Sequence, residues 1–543
     1  MKIISMPKKN QFNFIIIVIS VLIFGVTIAG RHYIPTDETR YLSVAWDMWL
    51  HHDYLVPHLN HLPYSHKPPL LFWLINLGWH LFGVNDWWPR VIPFLFSIGS
   101  IFLTKKIAEK LWPKNKNIGS IAALFLLANT VWAVFSSVVM FDMILTFFTC
   151  LGIFGIVTSL KEDNKKGFIY LTAAFAGGLL AKGPTIFLQI LPLALLAPWW
   201  INQKNINWKS WYSFFVMALI IGIGILLCWA IPAGISGGSQ YQHDIFWGQT
   251  ANRMVNSFAH KRSQWWYLEI APLLLFPWLL VPSLWKSIIQ RAKEPMSEGL
   301  KFALAWFVPV FIIFSLISGK QVQYLLPTYP ALALIIASQY DGIKKTLLRD
   351  DLVVMAILLF TSLFYFLITF HFIHTDVPWI NYLDWRIGPL LFALFLMSIV
   401  WRTKDKFIYL FKLVIVNIIV MFTIFVGLID QTGDAYDLRR IGNTLKKLED
   451  QGASIAYLGK YAGQFTFTGK LQGFPQSINN SELFKWTQEH PKGYVIIVID
   501  KKSNLKEIKS FYADVYRGGY IAILSSEQIN EVCKSQPNTC TEH

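Results

Sequence analysis

Unbroken apolar runs constrain this chain more than any other feature. Stretches of roughly 17 to 25 mostly apolar residues recur from residue 12 to residue 429, the length a helix needs to cross the hydrocarbon core of a bilayer. Because the runs do not alternate, an outer-membrane barrel is excluded. Composition agrees: 54% of the 543 residues are hydrophobic, 15% are charged, and mean hydropathy is +0.43. That balance excludes disorder and an ordinary soluble assembly of domains, and four cysteines in so long a chain are no disulfide scaffold. The expectation is a polytopic α-helical membrane protein.

About thirteen spans are predicted, near 12–30, 88–104, 118–137, 142–160, 168–181, 184–200, 211–233, 268–285, 302–318, 324–340, 351–370, 387–401 and 407–429. Lys plus Arg total 48 against 32 Asp plus Glu, an excess that in a soluble protein would suggest nucleic acid. Its position says otherwise. From Asp430 onward 14 basic residues face 13 acidic ones, so nearly all the excess lies before it. There it gathers in every second connection: Lys2, Lys8 and Lys9; Lys105 to Lys116; Lys161 to Lys166; Lys204 and Lys209; Lys286 to Lys301; Lys344 to Arg349; Arg402 to Lys406. By the positive-inside rule these loops and the N-terminus are cytoplasmic and the C-terminal region is exported. The first apolar run imitates a signal peptide in its basic flank and small residues, yet the polar motif that follows it argues for an anchor.

Two exported connections, 31–88 and 234–267, are too long to be simple turns. The first is rich in Trp, Tyr, His and Pro, which suits helices lying in the headgroup region. The membrane region is therefore drawn as 1–429, including both loops, with a soluble α/β domain over 430–543. In that tail helices are predicted over 437–449, 481–490 and 504–516, and strands over 454–458, 464–468, 494–500 and 520–524. Cys533 and Cys540 fall here and are equally compatible with a local disulfide or two thiols, whereas Cys150 and Cys228 lie in spans.

Charge in or beside a bilayer is costly, so the residues that carry it there are functional candidates. Asp37, Glu38 and Arg40 follow the first span, Lys67 precedes Pro68 and Pro69, Asp142 opens the fourth span and Lys182 ends the fifth. Arg253, Lys261 and Arg262 occupy the second long loop, and Lys320 follows the ninth span. All lie on the exported side of a frame derived without them.

The run Asp37-Glu38-Thr39-Arg40-Tyr41, then Tyr64-Ser65-His66-Lys67-Pro68-Pro69-Leu70, resembles the first periplasmic loop of the aminoarabinose transferase and protein mannosyltransferase superfamily. Its members are polyprenyl-phosphate-sugar glycosyltransferases of the GT-C class. Phe141-Asp142, Lys182-Gly183-Pro184, the stretch Arg253 to Tyr267 and Lys320 to Pro327 continue the likeness in family order. The exported tail resembles the lipid A aminoarabinose branch more than the mannosyltransferases. At His66 the chain departs from the family, whose members commonly carry Glu before the lysine, so any contact made by that Glu is not carried over.

The resemblance implies transfer of 4-amino-4-deoxy-L-arabinose or a related sugar from undecaprenyl phosphate to lipid A phosphate at the periplasmic face of the bacterial inner membrane. It implies Lys67, Arg253, Lys320 and Tyr324 at the donor phosphate, and Asp37 and Asp142 as the catalytic carboxylates. Glu38, Tyr41, Tyr64 and Lys182 are expected at the sugar or the acceptor. The chemistry fits these types. As the glycosidic bond breaks, negative charge grows on the departing phosphate, where fixed cations stabilise the transition state over the ground state. A carboxylate near the sugar serves as base for a hydroxyl acceptor, or orients an amino sugar when the acceptor phosphate is already ionised.

Blander readings stand beside these. Asp37 suits a helix cap, Lys67 a snorkelling cation, Lys182 an interface anchor, Arg253 a charge facing anionic lipid, and Tyr324 an aromatic belt. His51, His52, His58, His61 and His66 match no zinc spacing, and neither a metal nor another cofactor is expected. With no Walker loop, Rossmann fingerprint or nucleophile elbow, a cytoplasmic nucleotide-sugar enzyme is disfavoured. An inverting, metal-independent monomer with no nucleic-acid partner is the expectation. The alternatives are the same donor chemistry on a protein Ser or Thr or another glycan, and a non-enzymatic polyprenyl-lipid transporter.

Overall fold

A computed structural model describes residues 9–29, 31–115, 117–203, 205–248, 261–370, 372, 384–430, 437–499, 510–517 and 519–535. Two compact units emerge from it: Met1–Ala29, Ser65–Tyr365 and Arg386–Thr423 in one, and Gly30–Tyr64, Phe366–Trp385 and Ile424–His543 in the other.

The first unit is helical. Among the described residues seven helices are long and apolar enough to cross a membrane: Asn10–Ala29, Trp88–Leu111, Asp142–Lys161, Trp208–Ser236, Glu298–Leu316, Leu348–Thr369 and Lys406–Gly427. Each coincides with an expected span. Shorter apolar helices occupy Leu70–Phe82, Asn117–Ala128, Thr185–Leu195 and Ile387–Val400. The expected span 168–181 is the helix Asn164–Lys182.

Elsewhere proline breaks what hydropathy joins. Over 268–285 the chain makes only the short pieces Trp266–Glu269, Ala271–Leu274 and Trp278–Leu280 before the helix Pro282–Arg291 begins. Pro272, Pro277 and Pro282 each lack the amide that a continuous helix needs, and their rings crowd the preceding turn. Residues 324–340 likewise divide into a 3-10 segment, Val322–Thr328, and a helix, Tyr329–Asp341. Asn129 interrupts 118–137 differently. Its side chain accepts the Trp132 amide at 3.0 Å, capping a second short helix, and donates to the Leu274 carbonyl at 3.0 Å.

Close helix contact is locally a matter of side-chain size. The helices Asp142–Lys161 and Asn164–Lys182 approach so nearly that a Cβ on Gly167 would meet the Ser159 side chain at 2.2 Å. Only glycine permits that approach.

The second unit joins the segment after the first helix to the tail. Asp37–His51 forms a helix, followed by the hairpin strands β1 (His58–Leu59) and β2 (Leu62–Pro63). The tail builds a five-stranded sheet from β3 (Ile455–Leu458), β4 (Gln476–Ile478), β5 (Tyr494–Ile499), β6 (Tyr512–Tyr516) and β7 (Gly519–Ser525). Its order is β4-β3-β5-β7-β6, with β3 parallel to both neighbours and β7 antiparallel to both of its own. Leu438–Asp450 packs its apolar stripe, Leu438, Ile441, Leu445 and Leu448, into a core with Ile496, Ile521 and Ile523.

Two expectations for the tail are corrected. Residues 464–468 alternate like a strand but turn instead, with the Gly469 amide donating to the Phe465 carbonyl at 2.8 Å. Phe465 and Phe467 are both buried because each has its own neighbour: Phe465 meets Tyr461 and Tyr516, and Phe467 meets Tyr33 and Trp46. Residues 512–516, expected to end a helix, form the edge strand β6, which suits its tyrosines and valine. Cys533 and Cys540 lie outside the residues whose side chains are described.

Candidate active site

Asp142 is the first residue of its helix, where a carboxylate is favoured by the helix dipole, and its side chain is only 4% exposed. Lys182 is the last residue of the helix Asn164–Lys182, where a cation is favoured for the same reason. Gly183, at φ +63°, ends that helix with its amide on the Leu179 carbonyl, a backbone turn that suits glycine. These two ends meet. Lys182 Nζ donates to Asp142 Oδ1 at 2.5 Å and stands 4.8 Å over the centroid of the Tyr324 ring, a cation–π geometry. The pairing of Asp142 with Lys182 across 40 positions is not contained in the sequence argument.

Tyr324 lies in the 3-10 segment that begins after Lys320, so no α-helical turn joins the two. Lys320 instead sits in an extended stretch clipped to residues 261–262: Lys261 and Gly319 form an antiparallel bridge, and the Arg262 amide donates to the Ser318 carbonyl at 3.1 Å. Its ammonium is buried, at 2% residue exposure, and donates to the carbonyls of Ile317 at 2.5 Å and Arg262 at 3.3 Å. Burial lowers the Lys320 pKa. Among the described residues no carboxylate comes within ion-pair distance of it.

Tyr267 joins this wall through a hydroxyl that donates to the Gln321 carbonyl at 3.0 Å. Burial raises its phenol pKa, and the neighbouring Tyr324 and Asp142 raise it further. Sequence reasoning included Tyr267 only as the end of a matched stretch. Its signal was an aromatic at the boundary between a polar loop and an apolar run. Lys67, also in this unit, is half-buried in the bend that leads into the helix Leu70–Phe82, whose start Pro68 and Pro69 prepare. Arg253 lies outside the described residues.

The other unit holds the remaining candidates. Asp37 is the first residue of the helix Asp37–His51, following Thr36 as its cap, so it is not the cap itself. Its carboxylate is 44% exposed and 3.6 Å from Arg40. Glu38 is buried and engaged: Arg31 forms an ion pair with it, and the Ile34 amide donates to it at 2.9 Å. That arrangement braces the approach to the helix. Tyr41 and Tyr64 are both buried.

The wall of the first unit is chemically specific. Lys182 is paired with Asp142, whereas Lys320 meets no carboxylate at ion-pair distance among the described residues and is held by backbone carbonyls at low exposure. Such a group gains most from an incoming anion with several acceptor oxygens.

Residues 66–229 match the family described as dolichyl-phosphate-mannose-protein mannosyltransferase. An undecaprenyl phosphate-α-4-amino-4-deoxy-L-arabinose arabinosyl transferase of Edwardsiella ictaluri is 31% identical over 337 residues, 61% of this chain and 59% of that relative. The enzyme of the same name from Erwinia tasmaniensis is 30% identical, over 60% of this chain and 59% of its own length. The chain thus matches about three fifths of these relatives. Crystal structures of ArnT from Cupriavidus metallidurans superpose far more completely. The apo form gives a TM-score of 0.76 at 15% identity, covering 96% of this chain and 99% of that one. The form bound to undecaprenyl phosphate gives 0.71, covering 95% and 98%. The chain is thus similar in sequence, over about three fifths of its length, to aminoarabinose transferases, and over nearly all of its length it has the GT-C fold of ArnT.

Proposed function

We propose that this chain is an inner-membrane glycosyltransferase that moves 4-amino-4-deoxy-L-arabinose, or a related amino sugar, from undecaprenyl phosphate to a phosphate of lipid A at the periplasmic face. The single observation that carries the reading is Lys320: a buried cation, paired with no carboxylate among the described residues, four residues before Tyr324, whose ring faces the Lys182 that pairs with Asp142. The names of the relatives supply the donor and the sugar.

In this reading the bond from the sugar's anomeric carbon to the donor phosphate oxygen breaks, and its electron pair leaves with undecaprenyl phosphate. An oxygen of the lipid A phosphate forms the new bond to the same carbon. Lys320, with Lys67 and Arg253 by family resemblance, stabilises charge growing on the leaving phosphate, each such contact contributing roughly 10²–10³ in rate. Lys182, held by Asp142 and the Tyr324 face, is the cation for the acceptor phosphate. The resemblance gives Asp37 the position beside the reacting sugar, where a carboxylate orients the amino group and steadies the oxocarbenium-like carbon. Glu38 acts through Arg31 by shaping the segment before Asp37, and Tyr41 and Tyr64 pack the sugar. The transfer inverts at the anomeric carbon, takes no metal into the reaction and is carried out by a monomer. The N-terminus is cytoplasmic, and residues 430–543 form a periplasmic domain.

The experiment is transfer by the purified full-length protein from an undecaprenyl-phosphate aminoarabinose donor to lipid A, with Asp37→Asn as the variant. Transfer by the wild type, and its loss in a variant that still folds, is the expected result. Undiminished transfer by Asp37→Asn removes that residue from the mechanism. An unchanged lipid A mass spectrum in a deletion strain moves the acceptor to a protein hydroxyl or another glycan.

A further inference from the structure

The helix Asp37–His51 carries Asp47 and His51 four residues apart, on one face and one turn from each other. It stops at His52, whose φ of +56° turns the chain back toward the β1–β2 hairpin. The two loop residues of that hairpin, Asn60 and His61, also have positive φ, +56° and +59°, as a type I′ connection requires. Asparagine and histidine are both among the residues that adopt this conformation more readily than most. The result is that His61 returns over the end of the helix. His61 Nδ1 lies 3.1 Å from Asp47 Oδ2, His51 Nδ1 lies 3.3 Å from Asp47 Oδ1, and the two imidazoles stand edge to face, 4.8 Å between centroids.

We propose that Asp47, His51 and His61 form a binding site for a divalent transition-metal ion of the zinc type. The chemistry of the set is selective. Two imidazoles and one carboxylate suit zinc and its first-row neighbours, whereas calcium and magnesium require mostly oxygen ligands. The spacing fits as well. With metal–ligand bonds of about 2.0–2.2 Å, adjacent ligand atoms of a tetrahedron lie about 3.3–3.5 Å apart. The two observed imidazole–carboxylate separations are close to that edge, and all three ligand atoms already lie within 4.8 Å of one another. The carboxylate side chain is 10% exposed and the rings of His51 and His61 are 48% and 43% exposed; His51 Nδ1 also lies 3.0 Å from the Asp47 carbonyl oxygen, a contact that an ion would replace. A fourth position then opens to solvent.

Such an ion fastens the hairpin to the last turn of the helix, in a place where both already bear on the tail. Trp46 Nε1 donates to the Leu471 carbonyl at 2.8 Å, Asn60 Nδ2 to the Tyr461 carbonyl at 3.0 Å, and His61 packs edge-on against Phe474 at 4.8 Å. The site is therefore structural, separate from the proposed transfer reaction, and its test does not use activity.

Tag-free full-length protein in detergent, stripped with a chelator and titrated with zinc, is expected to bind one ion per chain and to melt at a higher temperature when loaded. Co²⁺ in place of zinc should give the visible bands of a tetrahedral site. His51→Gln and His61→Gln, at half-exposed positions that leave folding intact, should each weaken binding at least tenfold and abolish those bands, while His52→Gln and His58→Gln should not. Zinc binding that is absent in the wild type, or unchanged in the His51→Gln/His61→Gln double variant, overturns the proposal and leaves a hydrogen-bonded imidazole–carboxylate cluster.

Discussion

Two buried lysine–aspartate pairs in the first unit have the same length and different surroundings. Lys412 donates to Asp351 at 2.5 Å with both side chains 2% exposed, and Lys182 donates to Asp142 at 2.5 Å with 12% and 4%. Around the first, every polar group is met by the fold itself. Lys412 also donates to the Trp401 carbonyl, Asp351 accepts the Thr403 amide at 3.1 Å, and the adjacent Asp350 accepts the amides of Ser283 and Leu347 at 2.9 and 2.8 Å. Around the second, Lys182 has one carboxylate and the face of Tyr324, and a second buried lysine, Lys320, four residues before that tyrosine, has only carbonyls. A closed network ties segments together; under the proposed function the incomplete one is left for a ligand. Buried charge by itself does not tell the two apart.

The largest effect that separates them is expected at the closed pair. Asp351→Ala strands the Lys412 ammonium in an apolar interior, a loss of about 3–5 kcal/mol. Folded yield and melting temperature in detergent should fall sharply. Adding Lys412→Met, which removes the stranded charge, should recover most of the loss. An Asp351→Ala protein that melts like the wild type breaks the comparison at its firm end.

Asp142→Asn should behave in the opposite way. The lysine it releases is the more exposed member of its pair and keeps the Tyr324 face, so stability should drop by only about 1–2 kcal/mol. Transfer should fall about 10²-fold, equivalent to about 2.7 kcal/mol of transition-state stabilisation. Melting curves and initial rates on one preparation measure both. If stability collapses as at Asp351 while the remaining folded protein turns over normally, Asp142 and Lys182 are a second staple.

The reason only half of this contrast was legible in sequence is physical. Hydropathy needs no knowledge of neighbours, so the seven long helices stood out, and the positions of Asp142 and Lys182 at their helix ends followed from the frame. What each charge pairs with depends on which helices pack together, and nothing local encodes it. Asp350, Asp351 and Lys412 were passed over for that reason: single charges in or beside apolar runs look alike whether sealed or open. Asp47 was passed over because on a helix of mixed polarity it resembles a solvated residue until the hairpin brings His61 to it. The proline breaks in 268–285 were visible as letters, but summed hydropathy gives them no weight. In the tail, alternation misread 464–468 because two aromatics can be buried against different partners without a strand.

A carboxylate that water reaches completes the gradient and has the smallest expected effect. Glu449, at 21% side-chain exposure, accepts from Lys446 at 2.8 Å, from the Gly473 amide at 2.6 Å and from the Gln472 amide at 2.9 Å. Burial pushes its pKa up, but the hydrogen bonds from Lys446, Gly473 and Gln472 together outweigh it, and the net displacement is below the ordinary glutamate value. A carboxyl depressed in the folded state contributes stability that is fully present above its unfolded pKa and is lost as pH falls through the folded one. Glu449→Gln should therefore cost about 1 kcal/mol near neutral pH, and the gap to the wild type should close on acidification below the unfolded glutamate range. Melting curves of the two full-length proteins from pH 7 downward measure that gap. A gap that stays constant with pH means that Glu449 acts as a neutral acceptor, and the distinction between charged pairs sealed from water and those in contact with it loses its exposed limb.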